Sequence, residues 1–141
     1  MTLREFLNLF IQSGHFQLGV DVIEDERQVK VHFTGEDSSI LLTRMATALY
    51  ALEYLCNRLF EQDRKRIIVD CNNYRGVRAE ELKLMAVIAA ENVQRTGYPL
   101  KLGPMPPEER RILHLTVADN EAIRTESEGY NENRRVVFYP R

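Results

Sequence analysis

An Asn72-Asn73 pair stands between two long stretches of regular hydrophobic pattern and divides the 141-residue chain into halves, residues 1–71 and 72–141. Paired asparagines mark turns, because their short side chains bond to nearby backbone and compete with regular structure. Each half then has to be read as a unit with its own elements and its own core.

In the first half, Thr2 and Glu5 stand in capping-box spacing, and Leu3, Phe6, Leu7, Phe10 and Ile11 recur at helical intervals up to Ser13-Gly14. Phe16 to Ile23 and Val29 to Phe33 read as strands flanking the acidic turn Glu24-Asp25-Glu26, and a hairpin is the expected pairing. From Ile40 to Phe60 the residues Leu42, Met45, Leu49, Leu52, Cys56 and Leu59 keep a helical period, before a β-rich run at Ile67-Ile68-Val69.

The second half opens on a long helix, Tyr74 to Arg95, stopped by Thr96-Gly97, where glycine suits a left-handed C-terminal cap. Pro99 to Leu102 reads as a short strand. Pro107 suits the first turn of another helix, with Glu108 and Glu109 at the positive end of its dipole. Ala122 to Ser127 and Arg134 to Tyr139 read as strands around the polar loop 128–133. The fold class expected is α+β, ending in a small two-helix, three-stranded domain.

A net charge of −2 argues against a protein that coats nucleic acid by bulk attraction, so any such contact has to be a local patch. The second half is the better candidate: it carries 11 Lys/Arg against 10 Asp/Glu, whereas residues 1–71 carry 8 against 11. Cys56 and Cys71 lie in apolar surroundings without metal or redox spacing and read as buried, reduced thiols. His15 and His32 are isolated, so no metal site and no cofactor are expected. P-loop, nucleophile-elbow and HExxH motifs are absent, which argues against an enzyme. Charged residues interrupt the N-terminal apolar positions, and no stretch has the length of a membrane span, so a cytoplasmic protein without a membrane role is expected.

The helix after Pro107 carries the patch. At about 100° per residue, Arg110, Arg111 and His114 fall within an arc of roughly 100°, with Ile112, Leu113, Leu115 and Val117 on the remaining circumference. Fork-shaped arginine donors match phosphate geometry, so the strip points to a nucleic-acid contact more than to a catalytic centre. Periodicity alone favours a plain solvated helix face over that reading.

Several ordered blocks alter those odds. Ala51-Leu52-Glu53-Tyr54-Leu55, Asp70 with Tyr74-Arg75 and Arg78, and Thr96-Gly97 come first. Pro104-Met105, Glu109-Arg110-Arg111, His114, Thr125-Glu126-Ser127-Glu128-Gly129 and Asn133-Arg134-Arg135-Val136-Val137 follow. In this order they resemble the bacterial Jag (SpoIIIJ-associated)/KhpB family, which joins a KH domain to an Arg-xxx-His domain that binds single-stranded nucleic acid. The resemblance implies a KH-like unit of type II order over residues 1–71 and an Arg-xxx-His domain over 72–141. It makes Arg110 and His114 the signature pair, with Arg111, Arg75 and Arg78 beside them. For Arg75 and Arg78, pairing with Glu81 or the acidic loops is an equal alternative. Strand alternation turns only one of Arg134 and Arg135 toward the patch, and Arg135 is taken as that one. Tyr130, in a polar loop, is the expected stacking platform among Tyr74, Tyr98, Tyr130 and Tyr139.

The KH half departs from the family at its Gly-x-x-Gly loop. Counting back from Ala51, the chain has Thr43-Arg44-Met45-Ala46 there. Cβ atoms then occupy the space phosphates would need, and Ile40-Leu41-Leu42 is expected to run on as a helix. Little or no RNA binding is expected from this half. The function expected is single-stranded RNA binding, with single-stranded DNA as the related ligand, in a post-transcriptional regulator or RNA chaperone. The alternative is a protein-interaction or dimerisation module with vestigial RNA affinity. Its partner would be a small KH protein or a second copy of the chain.

Overall fold

The architecture is that of a computed structural model, which describes residues 1–60 and 65–141. The chain forms two compact units, Met1–Arg75 and Gly76–Arg141, so only Tyr74 and Arg75 of the long helix belong to the first unit. The α+β class holds in both.

In the first unit, α1 (Leu3–Ser13) starts in a complete capping box. Thr2 Oγ1 accepts from Glu5 N–H at 3.1 Å, and Glu5 Oε2 accepts from Thr2 N–H at 3.0 Å. β1 (Gly19–Glu24) and β2 (Gln28–Thr34) form the antiparallel hairpin, and β3 (Arg66–Cys71) pairs parallel to β2, giving the order β1-β2-β3. The alternating apolar residues Val29, Val31 and Phe33, with Ile67, Val69 and Cys71, turn toward Leu7, Leu41, Leu49, Leu52 and Cys56. Both cysteines are free and buried, and burial, followed by the Glu53 carboxylate, pushes the Cys56 thiol up to about 11.

Two polar side chains of the following helix bind the backbone of β3. Asn57 both donates to Ile67 C=O (2.8 Å) and accepts from Ile67 N–H (2.9 Å), and Glu53 Oε1 accepts from Val69 N–H (3.1 Å). Strand backbone left unpaired would bind other chains, and these side chains satisfy it.

That helix, α2 (Ser38–Leu59), does not run through as the helical period implies. Thr43 is extended (φ −61°, ψ 146°), and Arg44, Met45 and Ala46 follow with left-handed φ of 54°, 58° and 61°. The expected continuation of Ile40-Leu41-Leu42 is therefore wrong. The turn changes which residue points inward. An unbroken helix would aim Met45, four residues from both Leu41 and Leu49, at the core, but Met45 is 50% exposed and Ala46 is fully buried. Leu59, also on the expected inward face, is exposed. Thr47 Oγ1 donates to Arg44 C=O at 2.6 Å and ties the turn to the next helical segment.

Asn72 and Asn73 both adopt left-handed backbone (φ 50° and 56°), the conformation asparagine tolerates best among residues with a Cβ, and α3 (Tyr74–Thr96) starts beyond them. Asp70 Oδ1 accepts from the N–H groups of Cys71 (2.7 Å) and Arg75 (3.3 Å), which joins β3 to the first turn of α3. Gly97 (φ 74°) ends α3, its N–H donating to Val93 C=O at 2.9 Å.

In the second unit, β4 (Leu100–Lys101), β5 (Ile123–Glu128) and β6 (Arg135–Pro140) form an antiparallel sheet of order β4-β6-β5. Val136, Phe138 and Ile123 on one sheet face pack with Leu82, Ala86, Ala89, Ala90 and Val93 of α3, and with Leu113 and Val117 of α4 (Pro107–Thr116). Leu115 departs from the expected stripe. It lies two residues from fully buried Leu113, hence on the far side of α4, and is 63% exposed. Glu109, one turn before Leu113, is buried instead. Its charge is met by Arg78 of α3, whose Nε and Nη2 donate to Oε1 at 3.2 and 3.0 Å.

Among the described residues, no helix is long and apolar enough to cross a membrane.

Candidate nucleic-acid interface

The site in the second unit is built around one backbone residue, Met105. Its N–H donates to Arg134 C=O at 3.2 Å, and its own C=O accepts from Arg110 Nε at 3.2 Å. Pro106 and Pro107 follow, and their restricted φ starts α4 with Arg110 in its first turn. One peptide link thus sets the start of β6 beside the start of α4.

Arg110 and Arg134 face each other electrostatically. Burial, followed by the charge of Arg134, holds the Arg110 guanidinium below its ordinary range. Arg110 uses only Nε within the protein, so among the described residues its two terminal nitrogens carry no hydrogen bond. Arg134 Nη1 donates to Gly129 C=O at 2.8 Å. Gly129 (φ 93°) is needed there, since a Cβ would come within 2.8 Å of Asn133 O. Two cations brought together without an intervening carboxylate form a ready site for an anion.

His114, one turn beyond Arg110, is held from β5. Its Nδ1 lies 2.7 Å from Thr125 Oγ1 and its Nε2 lies 2.9 Å from Ser127 Oγ. Burial, and then the charge of Arg110, lowers its pKa, so the ring is neutral near pH 7. A neutral imidazole bound at both nitrogens has no free donor of its own.

The other expected residues are placed differently. Arg111 is exposed on α4. Arg75 belongs to the first unit, where it pairs with Glu53 (2.9 Å), donates to Val69 C=O (3.0 Å) and stacks on Tyr50 at 4.9 Å. Arg78 is 16% exposed and spans Glu109 and Glu81. Arg135 pairs in register with Glu128 and lines a groove with Lys101 and Val137, on the face of the sheet opposite the one bearing Thr125 and Ser127. Tyr130 is 86% exposed, at the start of the short turn Asn131–Asn133 that leads to Arg134. Tyr74 packs in the first core, and Tyr139 lies under Arg124 at 4.4 Å with its hydroxyl on Glu128.

The structure therefore brings Arg110, His114 and Arg134 together, with Tyr130 on the adjoining loop. It adds Thr125 and Ser127, which sequence reasoning did not select. Their spacing in β5 puts them on one face, but only the packing shows that this face meets His114. Among the described residues, no group of three His, Cys, Asp or Glu could hold a metal ion.

Residues 80–140 match the model of the R-3-H, or Arg-xxx-His, domain, the class of protein to which the second unit belongs. Over 124 residues the chain is 37% identical to RNA-binding protein KhpB of Bacillus subtilis (strain 168), covering 84% of this chain and 60% of that protein. It is 32% identical to RNA-binding protein KhpB of Clostridium symbiosum over 124 residues, 86% of this chain and 56% of that one. RNA-binding protein KhpB of Lactiplantibacillus plantarum is 30% identical over 128 residues, 86% of this chain and 40% of the relative. The chain belongs to the Jag/KhpB family. It spans little more than half the length of the first two relatives.

Proposed function

We propose that this chain is a cytoplasmic single-stranded RNA-binding protein that acts without chemistry and binds through Arg110, Arg134 and Tyr130 of its second unit, with His114 held beside them. The observation that carries this reading is that Met105 accepts from Arg110 Nε and donates to the Arg134 carbonyl, which sets two cations near each other with the terminal nitrogens of Arg110 unbonded among the described residues. A bridging phosphate would offset their repulsion and meet the fork geometry, and exposed Tyr130 offers a surface for base stacking. The family's Arg-xxx-His domain, and the RNA binding for which its relatives are named, support the same reading. A role in post-transcriptional regulation, or as an RNA chaperone, extends it.

The first unit we take as KH-like, of type II order: helix, two strands, broken helix, strand. The break in α2 falls at the position of the family's phosphate-clamping loop. With Cβ atoms at all four positions and one cation, Arg44, this loop contributes little RNA affinity.

The test is binding of a labelled single-stranded RNA of mixed sequence across a salt series, for the intact chain and for Arg110→Ala/Arg134→Ala. The expected result is salt-sensitive binding that the double substitution removes. Salt-insensitive binding, or none, would overturn the reading. A second reading, a protein-interaction module, rests on Tyr54, Leu55 and Leu59 of α2, which are 65%, 48% and 56% exposed. It predicts a self-associating chain, or one that pairs with a small KH protein, and that leaves RNA unbound.

A further inference from the structure

A histidine assigned to ligand contact would be expected to present a free nitrogen, and His114 does not. Each ring nitrogen is in hydrogen-bond range of a hydroxyl, at 2.7 Å to Thr125 and 2.9 Å to Ser127. Among the described residues neither hydroxyl has another hydrogen bond, and both residues are partly exposed, so each keeps capacity for a partner from outside the protein. What each can offer follows from counting protons. A neutral imidazole has one N–H and one bare nitrogen. The hydroxyl facing the N–H accepts from it and keeps its own hydrogen for an outside partner. The hydroxyl facing the bare nitrogen donates its hydrogen inward and shows the outside only lone pairs. Whichever nitrogen carries the proton, the two hydroxyls are made unequal: one is an outward donor, the other an outward acceptor.

The sugar-phosphate backbone answers these two groups unequally. A phosphodiester only accepts, and it suits the outward donor beside Arg110. Along the backbone of a single strand only the ribose 2′-hydroxyl can donate to an outward acceptor, and deoxyribose lacks it. We propose that Thr125 and Ser127 are the contacts by which this protein distinguishes ribose from deoxyribose, with His114 as the positioning residue that sets one as donor and the other as acceptor. The proposal rests on the single-stranded RNA reading and specifies which groups give it RNA preference.

The charged surroundings leave this arrangement intact at neutral pH. Arg110 faces the ring from its own helix, and Arg134 lies beyond Arg110. From β5 only the two hydroxyls face it, because Arg124, Glu126 and Glu128 alternate onto the opposite side of the sheet. Once protonated, an imidazolium would donate to both hydroxyls and turn both into outward donors, which removes the acceptor-only group.

The experiment compares two labelled oligonucleotides of one base sequence, ribose against deoxyribose with uracil in both. It uses the full chain, Ser127→Ala, Thr125→Val and His114→Gln, with thermal melting to verify folding. One hydrogen bond of ordinary strength corresponds to about a tenfold preference for ribose in the unsubstituted protein. At least one hydroxyl substitution should bring that ratio close to one without changing the salt slope, because no charge has been removed. Lowering the pH through the titration of His114 should also erode the ratio, and His114→Gln should abolish this pH dependence. A ribose preference retained in both hydroxyl variants overturns the assignment, as does an unsubstituted chain that binds the two oligonucleotides equally. No salt-sensitive binding of either oligonucleotide would instead remove the RNA reading itself, and the assignment with it.

Discussion

The turn at Thr43–Ala46 and the loop from Gly129 to Arg134 are both places where the backbone leaves regular structure through left-handed residues, yet they present opposite surfaces. In the first, Arg44, Met45 and Ala46 take up positive φ, at a cost of about 1–2 kcal/mol for each residue that carries a Cβ. The gain is the burial of Ala46, and the outside receives a half-exposed methionine and one arginine. In the second, a glycine takes the tight position, and the loop delivers Arg134 to Arg110 and leaves Tyr130 in solvent. An irregular loop becomes a candidate site through the donors it leaves unspent, and its shape alone does not make it one.

The comparison would break most visibly if the second unit lost the frame that holds its donors. Glu109→Ala leaves Arg78 buried without its main partner and should destabilise this unit by about 3 kcal/mol, measured by chemical denaturation followed with a probe in residues 76–141. A loss below about 1 kcal/mol would mean that the pair is not part of that frame.

The next effect is on binding. Arg110→Ala/Arg134→Ala should weaken single-stranded RNA binding roughly a hundredfold and lower the salt slope by about two charges. Arg75→Ala and Arg135→Ala, which remove cations held in the first unit and on the opposite sheet face, should each leave affinity within about twofold. Salt-sensitive binding that persists in the double variant, and that Arg44→Ala then removes, would move the site to the turn in α2.

Smaller still is the relief of the turn itself. Met45→Gly exchanges an exposed left-handed residue for the one that adopts this backbone without strain, and should raise stability by about 1 kcal/mol. A destabilised variant would show that the methionine side chain makes a needed contact.

The smallest effect is on pH. The pKa of His114 is lowered on folding, so below its unfolded value of about 6.5 the unfolded chain binds a proton that the folded one does not. Stability of the second unit should therefore fall as pH drops from about 7 toward the folded pKa, and His114→Gln should flatten that slope. An unchanged slope in the variant would assign it to another group.

Much of this architecture was legible in advance because it depends on local pattern. The capping box at Thr2, the alternation in β2, the turn at Asn72-Asn73 and the glycine after α3 each act over a few residues, and each stands where the sequence places it. The break in α2 was not legible, since Leu42, Met45, Leu49 and Leu52 keep their period straight through it. The choice of Arg135 as the arginine turned to the patch did not match the packing, because alternation separates Arg134 from Arg135 without saying which face of the sheet carries the helices.

By itself the sequence determined the element order and the helix that carries Arg110 and His114, since caps, periods and turns are local properties of the chain. Tertiary structure alone decided that Arg134 joins Arg110, that Arg75 and Arg78 are spent on Glu53 and Glu109, and that His114 is held by Thr125 and Ser127. Those pairings join residues 11 to 31 apart in the chain, or lie across strands and helices, and are set by which faces pack.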